Sequence, residues 1–303
     1  AQQVMLNLLC LTPLMRIIQS RKKLSRGKRE MRVLSLFDGM SCARIALERA
    51  GINVTSYYAS EVDKYAIKVA QANYPDTVQL GSVTDVMWPE TFEKLPIDLL
   101  IGGSPCQGFS FAGKQLNFED PRSALFWEYV RLLKECKPRY FLLENVRMNQ
   151  RSQDVITEAL GVKPIPINSS LVSAQNRKRL YWTNISFDTP ADKNIDLQNV
   201  IEGGFVDRKK SHCIDANYWK GGNLKSYFEK HRRQLVFDHD SFTGLYRKLT
   251  PVEVERLQTV PDNYTAHVSN TQRYKMLGNG FTVDVIAQIL RGIPALTCTM
   301  SQS

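Results

Sequence analysis

The chain has 303 residues, an ordinary hydrophobic share of 43% and a net charge of +10, enough for one large domain or two modest ones. No apolar run reaches the roughly 20 residues that a bilayer requires. The six cysteines form no C-x-x-C pair and do not cluster with the four histidines at metal-ligand spacing, which argues against a disulfide scaffold, a zinc site or any other metal centre.

The charge is local. Residues 1–30 hold seven Lys or Arg against one Glu, mostly in "RKKLSRGKRE", and residues 201–250 hold ten against six, leaving the remainder neutral. Two basic segments on a neutral body describe a polyanion touched at chosen places, or else a solvated tail and a solvated loop. The apolar stretch before them is broken by Asn7, Pro13 and Arg16, and its cations follow it, the reverse of a secretory signal. A soluble intracellular protein is expected.

From Met31 strands alternate with helices. "RVLSLF" reads as a strand, "SCARIALERAG" as a helix ending at Gly51, "VTSYYASE" as a strand and "VDKYAIKVAQANY" as a helix stopped before Pro75. "VQLGSV" is a short third strand and the apolar run at 97–102 a fourth; "PRSALFWEYVRLLKEC" is a helix with Pro at its first position, and "RYFLLEN" a fifth strand. This alternation predicts an α/β fold, a doubly wound and mostly parallel sheet. Residues 186–248 lose the rhythm and predict a small irregular lobe. Regularity returns at "LTPVEVERLQTV", where Thr250, Pro251 and Glu253 spell a capping box, and in the last helix, "TVDVIAQILRG". The predicted organisation is a basic extension (1–30), a catalytic domain (31–185), the lobe (186–248), a return to the catalytic domain (249–292) and a tail (293–303).

Several strand ends carry reactive residues. "FDG" closes the first strand before a helix, a turn that can hold a nucleoside-bearing cofactor or be a plain connection. Glu61 ends the second, about 20 residues on, where an acid suits ribose hydroxyls. "GGSPC" closes the fourth strand, and Cys106 there is either a nucleophile or a small buried thiol. Glu144 ends the fifth strand at the same edge, where a partly dry carboxyl group can donate a proton. Arg177 and Arg179 alternate along the strand in "QNRKRLYW" and share a side; they can pair with Glu144 or an anionic ligand, or form a solvated face.

In order and wording these pieces resemble the cytosine-C5 DNA methyltransferases. The matching stretches are "FDG" (37–39), "SEV" (60–62), "GGSPCQGFS" (102–110), "FEDPRSALF" (118–126), "ENV" (144–146), "QNRKR" (175–179), "LTPVEVERLQTVPDNY" (249–264) and "GNG" (278–280). "YTAHVSNTQRYKMLG" and the short lobe also look like the vertebrate de novo enzymes and their phage relatives. The resemblance implies a Rossmann-like methyltransferase fold, S-adenosylmethionine as methyl donor (leaving S-adenosylhomocysteine) and double-stranded DNA as substrate. It makes Cys106 the nucleophile on C6 of a flipped-out cytosine, Glu144 the group serving N3, Arg179 the holder of O2 and Arg177 a support for that pair.

The resemblance places Phe37 against the adenine, Asp38, Gly39, Met40 and Ser41 around the methionine part, and Glu61 on the ribose. Val62, Ser82, Val83, Ser104, Pro105, Leu125, Asn279 and Gly280 complete the cofactor pocket. Three positions depart from the family: Ser41 for a glycine, Ser82 for the acid facing the adenine amino group, and Gly280 for a serine. Residues 107–122 read as a loop closing over the base, with Gln107, Ser110, Lys114 and Arg122 toward DNA. The lobe reads as the target-recognition region, with Arg232 and Arg233 toward phosphates and Tyr218, Trp219, Tyr227 and Phe228 for groove insertion or an aromatic mini-core. Two other classes compete. An RNA methyltransferase on this scaffold carries a Cys-Phe-Thr tripeptide, which does not occur here; a catalytically dead relative loses the Pro-Cys or Glu-Asn-Val residues, which are present. The expected location is the cytoplasm of a bacterial or phage-infected cell, or a eukaryotic nucleus.

Overall fold

The computed structural model describes residues 29–88, 96–105, 121–242 and 244–294, with only the backbone for residues 29, 30 and 121–123. Cys106, Gln107, Ser110 and Lys114 therefore lie outside the described residues, as does the side chain of Arg122.

Seven strands make one sheet in the order β3-β2-β1-β4-β5-β7-β6. They are β1 (Arg29–Leu36), β2 (Ile52–Ser60), β3 (Val78–Gln79), β4 (Leu99–Gly102), β5 (Tyr140–Val146), β6 (Ile165–Asn168) and β7 (Lys178–Thr183). β1 to β5 pair in parallel, and β7 runs antiparallel to both β5 and β6. β4 is buried throughout, as expected of a central strand covered on both faces. Helices α1 (Cys42–Arg49), α2 (Lys64–Asn73), α3 (Pro121–Cys136) and α4 (Gln150–Leu160) connect the strands. The fold is α/β and Rossmann-like, as predicted. The strand order reverses between β1 and β4, where such sheets open a ligand crevice at the strands' carboxyl ends.

Two expectations move. The third strand stops at Gln79, not near 83, because Gly81 turns with φ +74° and Ser82 caps a 3-10 turn over Val83–Asp85. The first strand starts before Met31, since Arg29 and Glu30 already pair with Ile52 and Asn53.

The region after residue 185 contains α5 (Leu224–Lys230) and a two-stranded sheet of β8 (Leu235–Phe237) and β9 (Tyr246–Lys248). Its core is only partly its own. Tyr227, Leu235 and Phe237 form a satellite cluster, whereas Leu197, Val200, Ile214, Tyr218 and Val236 join the main core on one face of the large sheet. The chain returns through α6 (Pro251–Leu257), α7 (Asn270–Asn279) and α8 (Val283–Arg291). The capping box at Thr250 and Glu253 forms as expected. α8 packs on α1, and Arg49 pairs with Asp284 at 2.7 Å. Among the described residues, no helix is long and apolar enough to cross a membrane.

Candidate active site

The turn after β1 winds tightly, with Phe37, Gly39 and Ser41 all left-handed at φ 56°, 62° and 63°. Asp38 points inward. Its carboxylate accepts from the Ser41 hydroxyl and the Tyr57 hydroxyl, both at 2.6 Å, and burial pushes its pKa up. Met40 and Ser41 are buried too. Of the predicted methionine-binding set, only Gly39 is half-buried; Asp38, Met40 and Ser41 turn their side chains into the protein.

Glu61 reaches this turn from the end of β2. One oxygen accepts from the Gly39 amide at 2.7 Å, the other from the Val62 and Asp63 amides at 2.8 Å each. Two carboxylate oxygens offer about four acceptor positions, so Glu61 keeps some capacity for a further donor. Val62 beside it is 73% exposed, and Phe37 is half-buried. An acid between two accessible apolar groups has the chemistry a nucleoside requires. Ser82 caps the turn after it, with its hydroxyl 2.7 Å from that of Thr84, and Val83 is buried. Leu125 and Gly280 are half-buried and Asn279 exposed.

The second half of the site surrounds the exit from β4. A Cβ on Gly103 would lie 3.0 Å from the Phe281 ring and 3.3 Å from a Glu144 carboxylate oxygen. The chain thus leaves β4 directly against Glu144. Asn145, from the other face of β5, donates to both the carbonyl and the hydroxyl of Ser104 at 3.3 Å, pinning the residues that lead through Pro105 to Cys106. Glu144, 9% exposed, pairs with Arg179 Nε at 3.1 Å. Burial works against the Arg179 charge, but Glu144 together with Cys213 and Tyr181 outweighs it and holds the guanidinium above its ordinary pKa.

Arg177 spends its hydrogen bonds on backbone carbonyls. It is 2% exposed and donates to the carbonyls of Ile214 at 2.9 Å, Gly278 at 3.1 Å and Gly280 at 3.0 Å. Burial, then the neighbouring Arg179 charge, lowers its pKa. It fastens the lobe and the returning chain to β7 and does not brace Glu144 by a hydrogen bond. Gln175 helps, accepting from the Ile214 amide at 2.8 Å and bridging to Ser211. Sequence reasoning missed this strap, 211–216, and also missed Asn145 and Cys213. The Cys213 sulfur is 3.5 Å from Arg177 and 4.0 Å from Arg179. The motif "ENV" was a signal for Asn145; nothing local marked the strap.

In the lobe, Tyr218 and Tyr227 are buried and belong to cores, while Trp219 and Phe228 are 39% and 49% exposed. Arg232 is exposed and pairs with Asp215 at 3.4 Å. Arg233 is half-buried, donating to the Gly221 carbonyl at 2.8 Å, so it is the less available of the two predicted phosphate contacts. Among the described residues, no group of His, Cys, Asp and Glu could hold a metal ion.

A family model described as C-5 cytosine-specific DNA methylase matches residues 31–241 and 192–295. The chain belongs to this family. This methylase is 30% identical over 313 residues to the type II methyltransferase M1.ScrFI of Lactococcus lactis subsp. cremoris, covering 88% of this chain and 78% of that relative. It is 28% identical over 316 residues to the type II methyltransferase M.HhaI of Haemophilus parahaemolyticus, covering 87% and 94%. In fold it matches the Entamoeba histolytica methyltransferase EhMeth with a TM-score of 0.69 at 19% identity, over 88% of this chain and 98% of that one.

Proposed function

We propose that this methylase transfers a methyl group from S-adenosylmethionine to C5 of a cytosine flipped out of duplex DNA, through a transient Cys106 adduct. The Glu144–Arg179 pair, set against the exit of β4 that leads to Cys106, carries the reading. Bound S-adenosylmethionine supplies an electrophilic methyl group. The Cys106 thiolate adds to C6 while Glu144 provides a proton or hydrogen bond at N3, and C5 becomes nucleophilic. Arg179 holds O2. Loss of the C5 proton to a base after methylation expels Cys106. Phe37, Glu61 and Val62 support the cofactor assignment. The exposed Trp219, Phe228 and Arg232 support DNA contact by the lobe, and Gln107, Ser110, Lys114 and Arg122, the last in the first turn of α3, are assigned to DNA contact as well. The enzyme then works where DNA is, in the cytoplasm of a bacterial or phage-infected cell or in a nucleus.

The test is a duplex with 5-fluorocytosine at the target, located by bisulfite sequencing of DNA co-expressed with the protein. Fluorine cannot leave as a cation, so the enzyme is trapped after methylation. The adduct is expected to require S-adenosylmethionine, to survive denaturing electrophoresis, to be absent with Cys106→Ser and to form slowly with Glu144→Gln. An adduct persisting in Cys106→Ser, or mapped to Cys42 or Cys136, overturns the assignment; a trap on tRNA alone moves the substrate to RNA.

A further inference from the structure

We propose that Arg147, Arg151 and Lys178 form a phosphate-binding rim for the DNA strand that carries the target base, on the face of the sheet away from the lobe. This rests on the function proposed above and adds a surface to it.

Strand parity decides the face. In β7, Leu180 and Trp182 belong to the core cluster that contains Phe126 and Tyr129 of α3 and Ile156 and Leu160 of α4. Tyr181 belongs to the opposite cluster, with Ile214 and Tyr218 of the lobe. Successive strand residues point to opposite faces, so Lys178 shares the α4 side, while Arg177 and Arg179 share the lobe side. β5 and β7 pair with Val146 opposite Arg179. Arg147 follows Val146 and Lys178 precedes Arg179, so both stand next to that last pair of the ladder. α4 starts just beyond, capped by Asn149, with Arg151 in its first turn. All three cations are exposed.

Among the described residues, none of the three is held in an ion pair. α4 has no acidic residue in its first turn. Of the nearby carboxylates, Glu144 pairs with Arg179, and Asp154, one turn along from Arg151, accepts from the Gln150 amide at 2.7 Å. Arg151 stands where the helix dipole disfavours a cation. Three like charges gathered outside any ion pair repel one another, and an anionic partner relieves the repulsion. Lys178 adjoins Arg179, the residue assigned to the base, so the phosphates flanking the flipped nucleotide are the anions within reach. The lobe engages DNA from one side of the catalytic pair; this rim engages the target strand's backbone from the other. Phosphate contacts position DNA without reading its sequence, so the rim contributes affinity and salt dependence, not recognition.

The experiment compares the full chain with the triple variant Arg147→Gln/Arg151→Gln/Lys178→Gln, measuring affinity for a duplex carrying the target across a range of KCl concentrations. Each lost phosphate contact reduces the slope of log affinity against log salt by about 0.9. The triple variant is expected to lose about 2–3 from that slope, to keep S-adenosylmethionine affinity in calorimetry, and to methylate the same sequence. Arg147→Lys/Arg151→Lys should keep the slope. If the triple variant fails to bind cofactor, the single variants decide, each expected to lower the slope by about 1. An unchanged slope, with the wild type methylating the same duplex, overturns the rim alone. A wild type that neither binds nor methylates duplex DNA overturns both the rim and the proposed function. Lost affinity for tRNA with duplex affinity retained also refutes the rim.

Discussion

The resemblance predicts a glycine where Ser41 stands, and the backbone shows why glycine suits the position. At φ 63° and ψ 37° it occupies a left-handed conformation that costs an L side chain about 1–2 kcal/mol. Its hydroxyl compensates by donating at 2.6 Å to the buried Asp38 carboxylate, and a hydrogen bond to a charged group is worth about 1.5–3 kcal/mol. The two substitutions that remove the hydroxyl therefore separate the effects. Ser41→Gly loses the bond but relieves the backbone; Ser41→Ala loses the bond and keeps the strain. Urea unfolding should rank wild type above Ser41→Gly above Ser41→Ala, with the two variants about 1 kcal/mol apart. An alanine variant as stable as the glycine variant would show that the left-handed turn carries no cost. At this scale Glu144 and Arg179 were legible from their places at strand ends. The inward turn of Asp38 was not, because its partner Tyr57 comes from β2, and no local pattern announces a contact between strands.

At the scale of elements, the lobe illustrates how weak periodicity hides a built structure. His212 sits between the rings of Tyr227 and His231, with centroids 5.6 and 5.9 Å away. Arg208 lies 2.6 Å from its Nε2; a guanidinium only donates, so Nε2 accepts and the imidazole is neutral. Burial, then the Arg208 charge and His231, pushes the His212 pKa down from 6.5 to about 4. Between those values the unfolded chain binds a proton that the folded lobe refuses, so stability falls as pH drops from about 6.5 toward 4. His212→Gln keeps a polar side chain without this titration. Thermal unfolding at pH 7.5 and pH 5 should show a smaller acid-induced drop for His212→Gln than for the wild type, and equal drops would refute the linkage. The alternating half of the chain was readable because each helix and strand repeats its own period. The lobe's order comes from such side-chain networks, including the Tyr227 hydroxyl donating to Asp207, which have no period.

Across the whole molecule, the lobe, β7 and the returning chain meet at Arg177 and at Gly278. A Cβ on Gly278 would fall 2.3 Å from the Asp215 carbonyl carbon and 2.4 Å from the Ala216 amide nitrogen. Those are backbone atoms of the strap whose Ile214 carbonyl Arg177 holds, so neither side yields without moving the other. Gly278→Ala should cost about 1–3 kcal/mol through overpacking and lower DNA methylation in parallel, because the shifted strap displaces the strand that bears Arg179. Calorimetric melting beside a methylation assay checks this; unchanged stability would mean that α7 and the strap are free to separate.

The sequence by itself determined the alternation that builds the sheet, the helix caps and the residues at the strand ends, since each depends on neighbours along the chain. Motif order went further and identified the family. Tertiary structure alone decided that Arg177 is a fastener, that Glu61 clasps the turn after β1, that Tyr218 and Tyr227 are core, and that Arg147 and Lys178 flank the paired Val146 and Arg179. These facts depend on register and close approach between segments far apart in sequence, and burial there assigns each polar group to the partner that reaches it first.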